Sequence, residues 1–112
     1  MCEGGNVRSV GMAWALKCNG CDAIAVGWRY ISKPSLTHFC QWADHIVLMQ
    51  KIFQQHVPVG FDDKILVVDV GPDRFGTPFH PELQAFVQKV AASWKERDWK
   101  FRRSPIPNTV LN

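Results

Sequence analysis

Cys2-Glu3-Gly4-Gly5-Asn6-Val7-Arg8-Ser9 runs without a break into Val10-Gly11-Met12-Ala13-Trp14-Ala15-Leu16-Lys17, a glycine-rich bend emptying into a segment with helical spacing. The first backbone N–H groups of a helix have no intrahelical acceptor, and that end carries a partial positive charge. An oxyanion resting there is held by the backbone itself. Gly4 and Gly5 let the loop turn its amides inward with no Cβ in the way. Arg8 adds a planar, two-pronged donor that matches two oxygens of one phosphate. In the same field the Cys2 thiol ionises more readily than a free one, whose pKa of about 8.5 falls to roughly 3.5–7.5 at such sites. Taken alone, the same residues also fit a buried small thiol beside a solvated arginine.

Working outward, Val10, Ala13, Trp14 and Lys17 share helical spacing and Asn19-Gly20 supplies a left-handed stop, which predicts a helix from about Ser9 to Cys18. Cys18-Asn19-Gly20-Cys21 is formally a Cys-x-x-Cys unit. With no second pair and no neighbouring His couple to complete a tetrahedral metal site, it reads as a helix stop flanked by two thiols. The apolar runs Asp22–Tyr30, His45–Met49 and Lys64–Val70, each bounded by turn signals, read as buried parallel strands. Between them, Ser35 as N-cap with Leu36, Phe39, Cys40 and Ala43 marks a one-faced helix, and Gln50–His56 a short helix or turn. Pro81 suits a first helical position, and Leu83, Phe86, Val87, Val90, Ala91 and Trp94 form the stripe of a last helix.

Strands alternating with helices predict an α/β fold, a small parallel sheet with helices on both faces. Ligands in such sheets bind at the carboxyl ends of the strands. That rule gathers the loop before Arg8, the segments after Trp28 and Met49, and the loop after Val70 around one mouth.

A length of 112 residues, 46% of them hydrophobic, fits one domain spanning 1–112, with 104–112 as an extended tail. The formal charge of +3, most of it in Lys95–Arg103, is mildly basic and makes no strong argument for nucleic acid, which is not expected as a partner. Trp99, Phe101, Arg102 and Arg103 read as the solvated end of the last helix with an aromatic anchor. No long apolar run or leader-like start is present, so the expectation is a cytoplasmic protein with no membrane partner and reduced thiols. His38, His45, His56 and His80 are spaced irregularly and call for no metal.

Cys2, five residues, Arg8 and then Ser9 resembles the phosphate-binding loop of protein tyrosine phosphatases, and the helix that follows at once looks like the low-molecular-weight branch. Trp42-Ala43-Asp44 followed by His45–Met49 resembles the Trp-Ala-Asp and Met-terminated strand of short bacterial phosphatase-like proteins of that group. Val70-Gly71-Pro72-Asp73-Arg74-Phe75 with Pro81-Glu82-Leu83 is similar to their acid-bearing loop and last helix. The resemblance covers the chain in order. It implies a three-layer, phosphotyrosine phosphatase I-like fold and a cysteine-dependent phosphatase, with no cofactor, acting on a phosphorylated protein or a small phosphomonoester. The implied roles are Cys2 as nucleophile, Glu3, Gly4, Gly5, Asn6, Val7 and Arg8 as the phosphate loop, Ser9 as hydrogen-bond donor to the sulfur, and Asp73 as general acid. Asp69 competes for that last role, or else caps amides at a strand end. Trp28, Tyr30 and Phe75 either line the rim against an aryl substrate or pack as ordinary core.

Two departures shape the remaining expectations. Gly5 holds the place where low-molecular-weight phosphatases put Asn, with Asn6 following. Glu3, a carboxylate within an anion loop, is expected to face solvent. Only Met1 precedes Cys2, where the family has a central apolar strand; without it a slot with unpaired edges is left in the sheet. Asn108-Thr109-Val110-Leu111 is the spare extended segment for that slot, from the same copy or, in a homo-oligomer, a neighbouring one. These departures keep open a catalytically weak or inactive phosphate-binding or interaction module. Thiol redox chemistry such as arsenate reduction ranks last, since no cysteine follows Cys40.

Overall fold

Each apolar run becomes a strand shorter than its pattern. The structure, a computed structural model, describes residues 1–97 and 108–111. In order the elements are α1 (Arg8–Cys18), β1 (Asp22–Ala25), α2 (Lys33–Trp42), β2 (His45–Leu48), β3 (Ile65–Val67), α3 (Pro81–Arg97) and β4 (Asn108–Leu111), with 3-10 turns at Lys51–His56 and Asp62–Lys64. The chain keeps bonding past the named strands: the Val68 amide donates to Leu48 O at 2.8 Å and the Val70 amide to Met49 O at 3.2 Å. Val26, just after β1, and Val68, just after β3, are buried.

Helix starts differ from the expected ones for local reasons. α1 begins at Arg8 rather than Ser9, and its N-cap Val7 offers no side-chain acceptor. α2 is capped by Ser32, not Ser35: the Ser32 Oγ accepts from the Ser35 amide at 3.3 Å. Pro34 then lies in the first turn, where its missing N–H costs nothing. At the end of α1, the Gly20 amide bonds Lys17 O and the Cys21 amide bonds Leu16 O, with Gly20 at φ +87. Asn-Gly is thus a helix stop, as its chemistry predicts.

The sheet is wholly parallel, in the order β1-β4-β2-β3. β4 pairs with β1 from Asp22↔Asn108 to Ala25↔Leu111, and with β2 from His45↔Thr109 to Val47↔Leu111. The slot expected beside Cys2 is therefore filled by 108–111 of the same chain. The row does not stop at Leu111. Cys2 pairs in parallel with Gly27, the Trp28 amide donates to Cys2 O at 3.2 Å, and the Met49 amide donates to Met1 O at 3.3 Å. By this register Met1 stands opposite Val26 and Leu48, one step beyond Leu111, so one row of the sheet is composed of 108–111 and then 1–2.

Met1, Met12, Leu16, Ile46, Val47, Leu48, Met49, Leu83 and Val87 are fully buried, each contributing about 1.5–3 kcal/mol on the usual area scale. α1 packs against both β1 and α3. Its buried positions are Arg8, Ser9, Gly11, Met12, Ala13, Ala15 and Leu16, so of the expected Val10, Ala13, Trp14 and Lys17 stripe Ala13 alone is buried and Trp14 is exposed. The contact with α3 is close: a Cβ at Gly11 would lie 2.8 Å from Leu83 Cδ2 and 2.9 Å from Pro78 O. Among the described residues no helix is long and apolar enough to cross a membrane. Trp99, Phe101, Arg102, Arg103 and the tail positions 104–107 and 112 lie outside the described residues.

Candidate functional site

Strand pairing fixes Cys2 before its side chain is considered. Its backbone is held against Gly27 on one side, and the neighbouring Met1 against Val47 and Met49 on the other. From that base the chain turns over Gly4 and Gly5 and enters α1. The Gly5 amide, at φ +71, points back at the sulfur, 3.1 Å from Cys2 Sγ. The turn lies so close to the end of β1 that no side chain fits between them. A Cβ on Gly27 would meet Gly4 C at 2.4 Å, and one on Gly5 would meet Gly27 N at 2.6 Å. Gly27 is thus as much part of the loop as the two glycines that announce it.

The Cys2 thiol is buried, and burial pushes its pKa up. The Ser9 hydroxyl and amide, the Met1 amino group and the Gly5 amide act the other way and leave it below the ordinary thiol value. The Ser9 Oγ is fully buried, and the Cys2 sulfur is the group it acts on. By contrast, burial raises Cys21 to about 12 and moves Cys40 upward as well. Cys18 is exposed and unpaired with Cys21.

Arg8 is 3% exposed, which for an arginine demands partners. Its Nη1 donates to Gln50 Oε1 at 2.6 Å and to Gly71 O at 2.9 Å, and the guanidinium carbon lies 5.3 Å from the Phe53 ring centroid. Its Nε is buried without a partner. Glu3 turns away from the loop interior to pair with Arg29, whose amide also bonds Glu3 O at 3.1 Å. Its carboxylate is thereby directed to Arg29, half exposed rather than fully solvated. Asn6 is exposed.

Asp69 and Asp73 are both exposed. Asp69 Oδ1 accepts from the Gly71 amide at 2.9 Å, a strand-end cap. Asp73 follows two residues after Gly71, the carbonyl of which accepts from Arg8. The expected rim aromatics separate. Trp28 is half-buried and stacks on His56 with centroids 3.7 Å apart and planes 5° from parallel. Tyr30 is 77% exposed. Phe75 is 6% exposed, lying under Arg74 and beside His80, and is core rather than rim.

No family model, no curated protein and no solved structure matches this chain.

The site is therefore read from its own chemistry. The Ser9 hydroxyl and the Gly5 amide act on one sulfur, the start of α1 is uncapped and its first turn carries no acidic residue, and Arg8, the first residue of that helix, keeps a buried Nε without a partner. Donors outnumber acceptors, which is the electrostatic signature of a place for an anion. A cleft of about 500 Å³ between β3 and α3 is lined by Val67, Phe86, Val90 and Trp94 and includes neither Cys2 nor Arg8. A phosphate group needs inward donors more than volume. Sequence reasoning missed Gln50, Phe53, Gly27 and His56 at this mouth. The strand-end rule named the segment after Met49, but no local pattern says which of its side chains turns toward Arg8.

Proposed function

We propose that this protein is a cysteine-dependent phosphomonoester hydrolase that acts on phosphotyrosine or a small phosphomonoester. The single observation that carries the reading is Arg8 Nε, a buried donor without an acceptor at the start of α1, in a loop whose Cys2 sulfur accepts the Gly5 amide. Orphaned buried donors cost on the order of 1–3 kcal/mol each unless something accepts from them. A tetrahedral dianion seated over Cys2 is such an acceptor.

In this reading the Cys2 thiolate attacks phosphorus in line with the leaving oxygen, forming the S–P bond as the P–O bond breaks. Asp73 gives its proton to the departing alkoxide or phenoxide. The loop amides and Arg8 stabilise the equatorial oxygens as charge spreads over them. Water then attacks the cysteinyl-phosphate, Asp73 takes the proton, and the sulfur leaves as thiolate with the Ser9 hydroxyl donating to it.

A three-layer, phosphotyrosine phosphatase I-like arrangement belongs to the same proposal. It is supported by the all-parallel order β1-β4-β2-β3. Right-handed crossovers in that order carry α2 to one face and α3 to the other, with α1 beside α3.

One observation favours the alternative, a phosphate-binding module with little turnover: Arg8 is already engaged through Nη1. Hydrolysis of p-nitrophenyl phosphate, inhibited by vanadate and abolished in Cys2→Ser, tests the enzyme. Phosphate binding without any vanadate-sensitive turnover selects the module instead.

A further inference from the structure

Arg8 is held by its corner. Nη1 carries two hydrogens, and both are engaged, one by Gln50 Oε1 and one by Gly71 O. Nε, on the other side of the guanidinium, is buried and has nothing to donate to. We propose that Gln50 is a positioning residue of the anion site, its amide oxygen fixing Arg8 so that the Nε edge is left for an oxyanion. This inference rests on the phosphate-binding reading of the loop.

Gln50 is suited to the task because its own backbone is pinned. The Phe53 amide bonds Gln50 O at 3.1 Å, and the preceding Met49, fully buried, accepts from the Val70 amide at 3.2 Å. Phe53, buried beneath the guanidinium, closes off one face of the arginine. The acceptor is neutral, so it orients Arg8 without cancelling its charge, and the full positive charge is kept for a dianion. The second acceptor, Gly71 O, lies on the loop that bears Asp73. The same guanidinium nitrogen therefore ties the carboxyl end of β2 to that loop, and Gln50 sets the geometry of both.

The test reads anion binding without requiring turnover. Cys2 is alkylated with iodoacetamide in the full chain, the modification is followed by mass on the Cys2 peptide, and inorganic phosphate is added as protectant. Wild type is protected. Gln50→Met, which keeps the bulk and removes the acceptor, raises the half-protecting phosphate concentration about tenfold, while the alkylation rate without phosphate stays within about twofold of wild type. Gln50→Asn, which draws the amide back by one methylene, weakens protection in the same direction and serves should Gln50→Met melt early. In an Arg8→Lys background the Gln50→Met change adds nothing further, because the corner it holds is gone. Equal protection of wild type and both Gln50 variants overturns the role of Gln50 alone. A wild-type Cys2 that reacts readily and is not protected by phosphate overturns the anion-site reading, and this inference with it.

Discussion

Arg8 and Gly71 are 63 positions apart in sequence, and their Nη1 and carbonyl oxygen are 2.9 Å apart in the fold. That bond joins the start of α1 to the loop after β3, the two parts of the molecule that the proposed chemistry needs together. The loop's position is thus set partly by Arg8.

The acid on that loop is the first consequence to measure. Asp73→Asn is expected to lower kcat for p-nitrophenyl phosphate by about 10²–10⁴. Asp69→Ala, which loses the cap on the Gly71 amide, should cost about 0.5–2 kcal/mol of stability and leave kcat close to wild type. A reversal of these two results would make Asp69 the acid.

Cys2 titrates below an ordinary thiol, so its alkylation rate should reach half-maximum at a lower pH than that of free cysteine. Ser9→Ala removes a group that pulls the value down and should move the midpoint upward. The sign for stability follows. A thiol whose folded pKa is depressed stabilises the fold above its unfolded pKa, and that contribution is lost as pH falls through the folded value. Iodoacetamide rates between pH 5 and about 9 decide the matter.

Gly27→Ala places a methyl 2.4 Å from the Gly4 carbonyl carbon. Backbone cannot give way as a side-chain tip can, so the loop must lift off β1. Urea unfolding should show a loss of about 1–3 kcal/mol, and phosphate should no longer protect Cys2. Gly20→Ala, which has open space around it but φ +87, should cost stability without touching phosphate binding.

β4 fills the middle of the sheet, bonded on both edges. Val110→Pro removes a ladder donor there and should cost about 3 kcal/mol or more. Because Met1 and Cys2 continue the same row, the variant should also broaden the melt and make the Cys2 loop exchange amide hydrogens faster. An unchanged cooperative melt after truncation at Pro107 would show that β4 does not hold the sheet together.

The sequence by itself determined much of this protein. Alternating apolar runs and helical stripes specified an α/β chain with a parallel sheet, because period and turn chemistry are local properties. Asn19-Gly20, Gly4-Gly5 and Pro81 announced their turns and starts for the same reason: φ preferences belong to single residues. The loop from Cys2 to Ser9 was legible as a glycine bend running into a helix, with a thiol, an arginine and the helix's first amides adjacent in the chain, which is what the proposed anion site is built from.

Tertiary structure alone decided what lies across from that loop. Gln50 and Gly71 meet Arg8, Arg29 draws Glu3 outward, and Gly27 takes the loop's backbone at a distance that admits no Cβ. Such partners are separated by tens of residues, and no periodicity links them. Phe75 shows the limit from the other side: an aromatic beside the acid loop is rim or core depending only on which way the loop folds, and it folded inward. β4 stands between the two. The sequence offered Asn108–Leu111 for the row beside Cys2 from either this copy or a neighbouring one, and only the fold, with that row open between β1 and β2, decided that the same chain fills it.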